Sequence, residues 1–191
     1  MVGVVASVVL VLGLTAVGVY LLTRDSEPAA TNAAQYGAPP DRCTLLDPTQ
    51  VQSWAGTPKS TEPEKSSFPA NLGGDVDGCS HDFTLETINT VKAFVGTDGH
   101  AKERHDYTVE AFKVVPSMVT KPISGLGTAA TGYTQQGNDK RRIQAGLVLH
   151  DNNLYLELRF LAGGTKTWNG EEVQSHLVDV ARAIMAKVPK A

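Results

Sequence analysis

The sequence has little cysteine and little charge imbalance, and each shortage removes a class of function. Two cysteines in 191 residues cannot by themselves build a zinc ribbon or an iron–sulfur site. Seventeen Lys and Arg against twenty Asp and Glu give a formal net charge of −3, so the chain lacks the positive field with which nucleic-acid binders hold phosphates. Nucleic acid is excluded as a partner on that ground. Catalytic signatures are missing as well: there is no G-x-S-x-G elbow and no S-x-x-K pair for nucleophilic chemistry. The glycine-rich stretch Ser124–Gly132 lacks both the G-x-G-x-x-G spacing and the Gly-Lys-Ser/Thr ending of a phosphate loop. It precedes an expected strand rather than a helix, and reads as a packed turn leading into Tyr133.

Charge is wholly absent from Met1–Thr23, where 17 of 23 residues are hydrophobic. This leaves 61 hydrophobic residues among the other 168, about 36%, against 41% for the whole chain. As a helix, at about 1.5 Å per residue, the segment matches the roughly 30 Å hydrocarbon core of a bilayer. No face of that helix is polar, so a transmembrane anchor is expected, with the lipid bilayer as its partner. A cleaved secretory signal is the alternative, but no Lys or Arg precedes the run and small residues come well after it. No cysteine ends the run to accept a lipid. Arg24, offset by Asp25 and Glu27, orients the segment poorly. Cys43 and Cys79 decide the matter, because an isolated pair held outside the cytosol most often forms a disulfide. Two free thiols facing the cytosol are the competing reading. The expected arrangement is N-terminus inside and the bulk of the chain outside, as a single-pass cell-membrane protein, or a secreted one if the segment is cleaved.

Arg24–Pro40 is rich in Ala and Pro, has no apolar period and reads as a tether. The folded domain is expected over residues 41–191. Asp47 as N-cap, Pro48 at the first helical position and Gly56 as the stop predict a helix over Pro48–Ala55, buried through Val51 and Trp54. Thr57–Asp77, with three prolines and Gly73-Gly74, reads as a loop. Phe83 and Leu85, then Val91, Ala93 and Val95, alternate as an antiparallel hairpin. Ala101–Val115 fits a helix with Tyr107, Ala111, Val114 and Val115 on its apolar face; period two is the competing pattern, and the charged first half favours helix. Arg142–His150 and Leu154–Ala162 are expected to form a second hairpin, with Gln144 and Glu157 facing outward or edgewise. Val173, Leu177, Val180, Ala181, Ile184 and Val188 form the stripe of a closing helix, begun by Asn169 and Glu172 and ended by Pro189. The order argues for an α+β fold with a mainly antiparallel sheet covered by helices.

The five histidines show no metal-binding spacing. His100 and His105 are off any common helical face, His81 and His150 are scattered singly, and all are expected exposed at loop ends. No cofactor and no metal are expected. Lys140-Arg141-Arg142, at a turn entering a strand, is the basic cluster of the chain; it reads first as a solvated strand start, and its functional reading is a contact for anionic headgroups or an acidic envelope polymer.

The membrane segment, the Pro/Ala tether, Cys43-Thr-Leu-Leu-Asp-Pro48, Gly78-Cys79-Ser80, Ile123-Ser-Gly-Leu-Gly-Thr-Ala-Ala130, the late hairpin and the amphipathic closing helix together resemble a family of actinobacterial cell-envelope proteins, many of them lipoproteins, without assigned function. The resemblance covers Asp41–Val188. It implies a Cys43–Cys79 disulfide, an α+β sheet packed by helices in the manner of the fold called PsbP/Mog1-like, and a bacterial envelope as the setting. It carries no catalytic residues. The leading expectation is a non-catalytic binding or accessory domain for an envelope protein or ligand, contacted near Tyr133, Tyr155, Trp168 and Lys140–Arg142, since Arg and polar-tipped aromatics suit interfaces. An extracytoplasmic sensor or regulatory subunit, associating through the small residues Gly3 and Ser7, is the second expectation; an envelope hydrolase is the third.

Overall fold

The computed structural model describes residues 35–191 apart from Glu86. The expected anchor Met1–Thr23 and residues 24–34 of the expected tether lie outside the described residues. Seven strands, β1 (Thr57–Ser66), β2 (Val76–Leu85), β3 (Thr87–Gly96), β4 (Val119–Pro122), β5 (Ala129–Gln136), β6 (Ile143–Asp151) and β7 (Leu154–Ala162), form one sheet in the order β1-β2-β3-β7-β6-β5-β4. All neighbours are antiparallel. Two meanders, β1–β3 and β4–β7, meet where β3 pairs with β7. Helices α1 (Pro48–Ala55), α2 (Ala101–Lys113) and α3 (Gly170–Lys187) cover the sheet. The architecture is the expected α+β domain. Among the described residues no helix is long and apolar enough to cross a membrane.

Local chemistry explains most of these elements. Asp47 accepts a hydrogen bond from Thr49 N at 2.9 Å and Pro48 takes the first turn of α1, whose end at Gly56 has φ 112°, a conformation that disfavours any side chain. Asn169 caps α3 by accepting from Glu171 N at 3.0 Å, and Val173, Leu177, Val180, Ala181 and Ile184 are buried as the stripe predicts. Cys43 and Cys79 form the expected disulfide, Cα atoms 5.1 Å apart, which clamps the approach to α1 onto β2.

Three expectations are corrected. Thr57–Ser66 is a strand rather than a loop. Its prolines, Pro58 and Pro63, are tolerated because β1 is an edge strand with one free side, and its register with β2 breaks between Pro58 and Ser60. The expected tether ends earlier than Pro40. Tyr36 is 4% exposed, its backbone N donates to Asn153 Oδ1 at 2.8 Å, and its hydroxyl donates to Asp151 Oδ2 at 2.6 Å. It also forms a bridge with Lys190. Finally, α2 turns a different face inward. Ala101, Arg104, His105 and Thr108 are buried, while Tyr107 and Val114 are 48% and 81% exposed.

The reason for that third correction lies beneath α2. Alternate residues of each strand point to opposite faces. One face carries Val91, Ala93, Val95, Leu147, Leu149, Leu156, Leu158 and Phe160 and is closed by α1 and α3. The other has a small apolar cluster of Val76, Phe94, Val148 and Tyr155 with Ala101, surrounded by polar groups that select a polar helix face.

Candidate functional site

The polar groups on the α2 face are mostly paired with one another. Glu157, expected outward, is fully buried. It accepts from Arg159 Nε at 2.6 Å, Arg159 Nη2 at 2.9 Å and Tyr155 Oη at 3.0 Å, and Arg159 also donates to Ser66 Oγ at 3.0 Å. Burial opposes the charge on Arg159, but the bonded Glu157 outweighs it and the guanidinium pKa is raised. Burial, then the Glu157 charge, pushes the hydroxyls of Tyr133 and Tyr155 well above their usual range. Arg104, fully buried, makes a two-pronged ion pair with Asp98 at 2.7 and 2.8 Å. Such pairing satisfies buried charge and leaves little free to meet a ligand.

The histidines differ from expectation too. His81, His105 and His150 are buried, and the rings of His105 and His150 lie 5.2 Å apart. The missed pairing has a plain cause: one residue comes from α2 and the other from β6, so no sequence spacing reports it. Among the described residues, no set of three or more His, Cys, Asp or Glu is placed to hold a metal ion.

The candidate contact residues are separated by the fold. Tyr133, Tyr155 and Trp168 are 1%, 0% and 5% exposed, so their rings serve the interior rather than the exposed surface anticipated for them. Tyr133 packs on Phe112 and Trp168 on Phe160. Lys140, Arg141 and Arg142 are exposed, and Arg142 lines one of a pair of adjoining clefts.

Those clefts adjoin at one corner of the sheet, where β5 ends and β4 begins. The first, about 470 Å³, lies between the start of α3 and strands β4 and β5. The second, about 630 Å³, lies on the opposite face, over Thr90, Gln135, Gln144 and Leu161. Both volumes fall in the range of small-molecule sites. Ser117 and Gln136 line both. Ser117 holds the loop between α2 and β4 in a left-handed conformation, φ 64°, uncommon outside glycine. Gln135 Nε2 donates to Pro116 O at 2.8 Å and fixes that loop.

At the floor of the first cleft lies Gln174, 4% exposed, whose amide nitrogen and oxygen both lack a hydrogen-bond partner among the described residues. Its carboxamide rests against Gly132, where even a Cβ would come within 2.8 Å of it. Among the described residues neither cleft is lined by histidine or cysteine, and Glu171 is the sole carboxylate in either lining. The lining offers hydrogen bonds without an acid–base pair. Sequence reading missed this corner, because a strand end, a loop and a helix start meet there only after folding. Gln174, a polar residue beside the α3 stripe, was the available signal.

No family model matches the chain, and no curated protein matches it in sequence. Among solved structures, it is similar to the extracellular domain of PknH from Mycobacterium tuberculosis, with a TM-score of 0.54 and 13% identity. The match covers 81% of this chain and 97% of that domain. The likeness is one of fold, and it spans nearly the whole of that extracellular domain.

Proposed function

We propose that the chain is a membrane-anchored protein of an actinobacterial-type cell envelope whose folded part is an extracytoplasmic, non-catalytic sensor or regulatory module. The carrying observation is the fold shared with nearly all of an extracellular domain. The charge-free Met1–Thr23 segment supports the anchor, and the Cys43–Cys79 bond supports an oxidising compartment. The corner clefts, lined for hydrogen bonding and without an acid–base pair, suit reception rather than turnover. Among the earlier expectations, the sensor reading gains most from the fold match. The general accessory domain is its less specific form. The PsbP/Mog1-like description remains the finer reading of the α+β fold.

Thiol labelling in intact cells tests this. An impermeant maleimide should label Cys43 only after reduction, and without permeabilisation. Labelling that requires permeabilised membranes would place the domain in the cytosol and end the proposal. Crosslinking in membranes should then trap a partner through the anchor.

A further inference from the structure

Carboxamides are prominent among the side chains around the corner. Four of the chain's seven glutamines, Gln135, Gln136, Gln144 and Gln174, line the two clefts together with Asn138 and Asn169. Thr90, Ser117 and Thr134 lie among them, the Thr90 hydroxyl donating to Asp82 Oδ1. A carboxamide carries donor and acceptor side by side with no net charge; Gln135 and Gln136 already donate to Pro116 O and Trp168 O, and Asn169 Oδ1 caps α3, so the full pair is offered by the others. That geometry suits vicinal hydroxyls or an acetamido group, which present the same two functions at matching separation. The charged lining residues are Lys121, Arg142 and Glu171, all exposed at the rims. The apolar patches are aliphatic and open: Ile88 is 53% exposed, Val119 68% and Leu161 38%, which accommodates the C–H face of a sugar ring.

Gln174 supplies an independent observation. A buried amide without partners costs free energy, and this one forms the floor of a cleft large enough for a ligand. Peptide recognition fits less well. Over the second cleft the backbone groups of β5, β6 and β7 are engaged in the ladder, so an added strand finds no main-chain partners on that face.

We propose that this corner binds a neutral saccharide of a few rings, with Gln174 and Gln144 as contacts on the two faces. The inference deepens the sensor reading by naming its ligand class, and rests on that reading only for the compartment in which the sugar is met.

The test is calorimetric titration of the full chain in lipid nanodiscs, avoiding sugar-based detergents. The probes are triacetylchitotriose, maltotriose, trigalacturonate and an uncharged alanine peptide. Saturable binding of a neutral trisaccharide is expected. Triacetylchitotriose alone would point to acetamido recognition, and both neutral sugars to hydroxyl recognition; either supports the proposal. Gln174→Ala and Gln144→Ala should each weaken binding about five- to tenfold, the loss of one good hydrogen-bonding group. Gln50→Ala, which lines neither cleft, should change nothing. Gln144 is partly exposed on a strand, so its variant keeps the test open if Gln174→Ala does not fold. The proposal is overturned if no neutral saccharide binds, if only the acidic sugar or the peptide binds, or if both glutamine variants bind as the parent does. Saccharide binding with cytosolic thiol labelling would keep the site and remove the extracytoplasmic reading. External labelling without saccharide binding would do the reverse.

Discussion

On the face covered by α1 and α3, the central strands contribute Val, Leu and Phe to a continuous core. On the face covered by α2, the same strands contribute Tyr155, Glu157, Arg159 and His150, and the helix answers with Arg104, His105 and Thr108. Both are buried, but by different physics. The first face needs only shape and area; the second needs each polar group to find a specific partner. One face therefore tolerates substitutions that preserve volume, while the other responds sharply to the loss of a single atom.

The sharpest test of that contrast is Glu157→Ala, which leaves Arg159 without its counter-ion. A loss of about 3–5 kcal/mol is expected from urea unfolding. Replacing Glu157 and Arg159 together by Leu should recover most of it, because a buried ion pair is weak evidence for net stabilisation. Next, changing both Cys43 and Cys79 to Ser removes the clamp on α1 and should cost about 3–4 kcal/mol by chain-entropy reasoning. Leu177→Ala probes the apolar face directly and should cost about 3 kcal/mol, whereas Leu177→Met should cost under about 1.5 kcal/mol. A volume-preserving change that proved as damaging as the truncation would erase the distinction between the faces.

Acid provides a gentler probe. Burial first, then the neighbouring His105, lowers the pKa of His150; Asp106 and Asp151 pull the other way, and Lys102 adds to the lowering. Burial likewise lowers that of His81. Groups held neutral by folding leave stability unaffected above the unfolded value of about 6.5. They reduce it as pH falls from there through the lowered folded value, by at most about 1.4 kcal/mol per pH unit for each proton. Unfolding measured from pH 7.5 to 4.5 should show this loss, and His150→Asn should make it shallower while leaving the His81 contribution. The smallest effect is expected at Val114→Ser, within about 0.5 kcal/mol, because the side chain is 81% exposed.

The same contrast explains what could be read in the sequence. The closing helix α3, the short helix α1 and the β6–β7 hairpin were legible because their apolar periods face an apolar partner and local caps mark their ends. The face of α2 was not, since its inward residues are polar: Thr108 meets Tyr155 on β7 and His105 meets His150 on β6, while Arg104 pairs with Asp98 just ahead of the helix. Glu157 looked like a solvent-facing strand residue because alternation reports the side of a sheet, not what covers it. Strand β1 was hidden by Pro58 and Pro63, which its edge position accommodates. The corner clefts left only the polar Gln174 beside the α3 stripe as a signal, because carboxamides have no characteristic spacing and Gln136, Asn169 and Gln174 converge from β5, the α3 cap and α3. The expected aromatic contacts, Tyr133, Tyr155 and Trp168, had the right chemistry for a surface but are held inside.

The docking of Tyr36 has a mechanical meaning. The chain enters the domain beside residues 189–191: Gly37 N bonds to Pro189 O at 2.9 Å, Ala191 N to Gln35 O at 2.8 Å, and the Lys190 ammonium lies 3.3 Å from the centre of the Tyr36 ring. Through Asp151 and Asn153 the same residue grips the turn between β6 and β7. Tension arriving along the chain from before Gln35 is thus delivered to the middle hairpin of the sheet and to the tail of α3 together. The first contacts to bear that load are those of Gln35 and Tyr36, not those of the exposed edge strands.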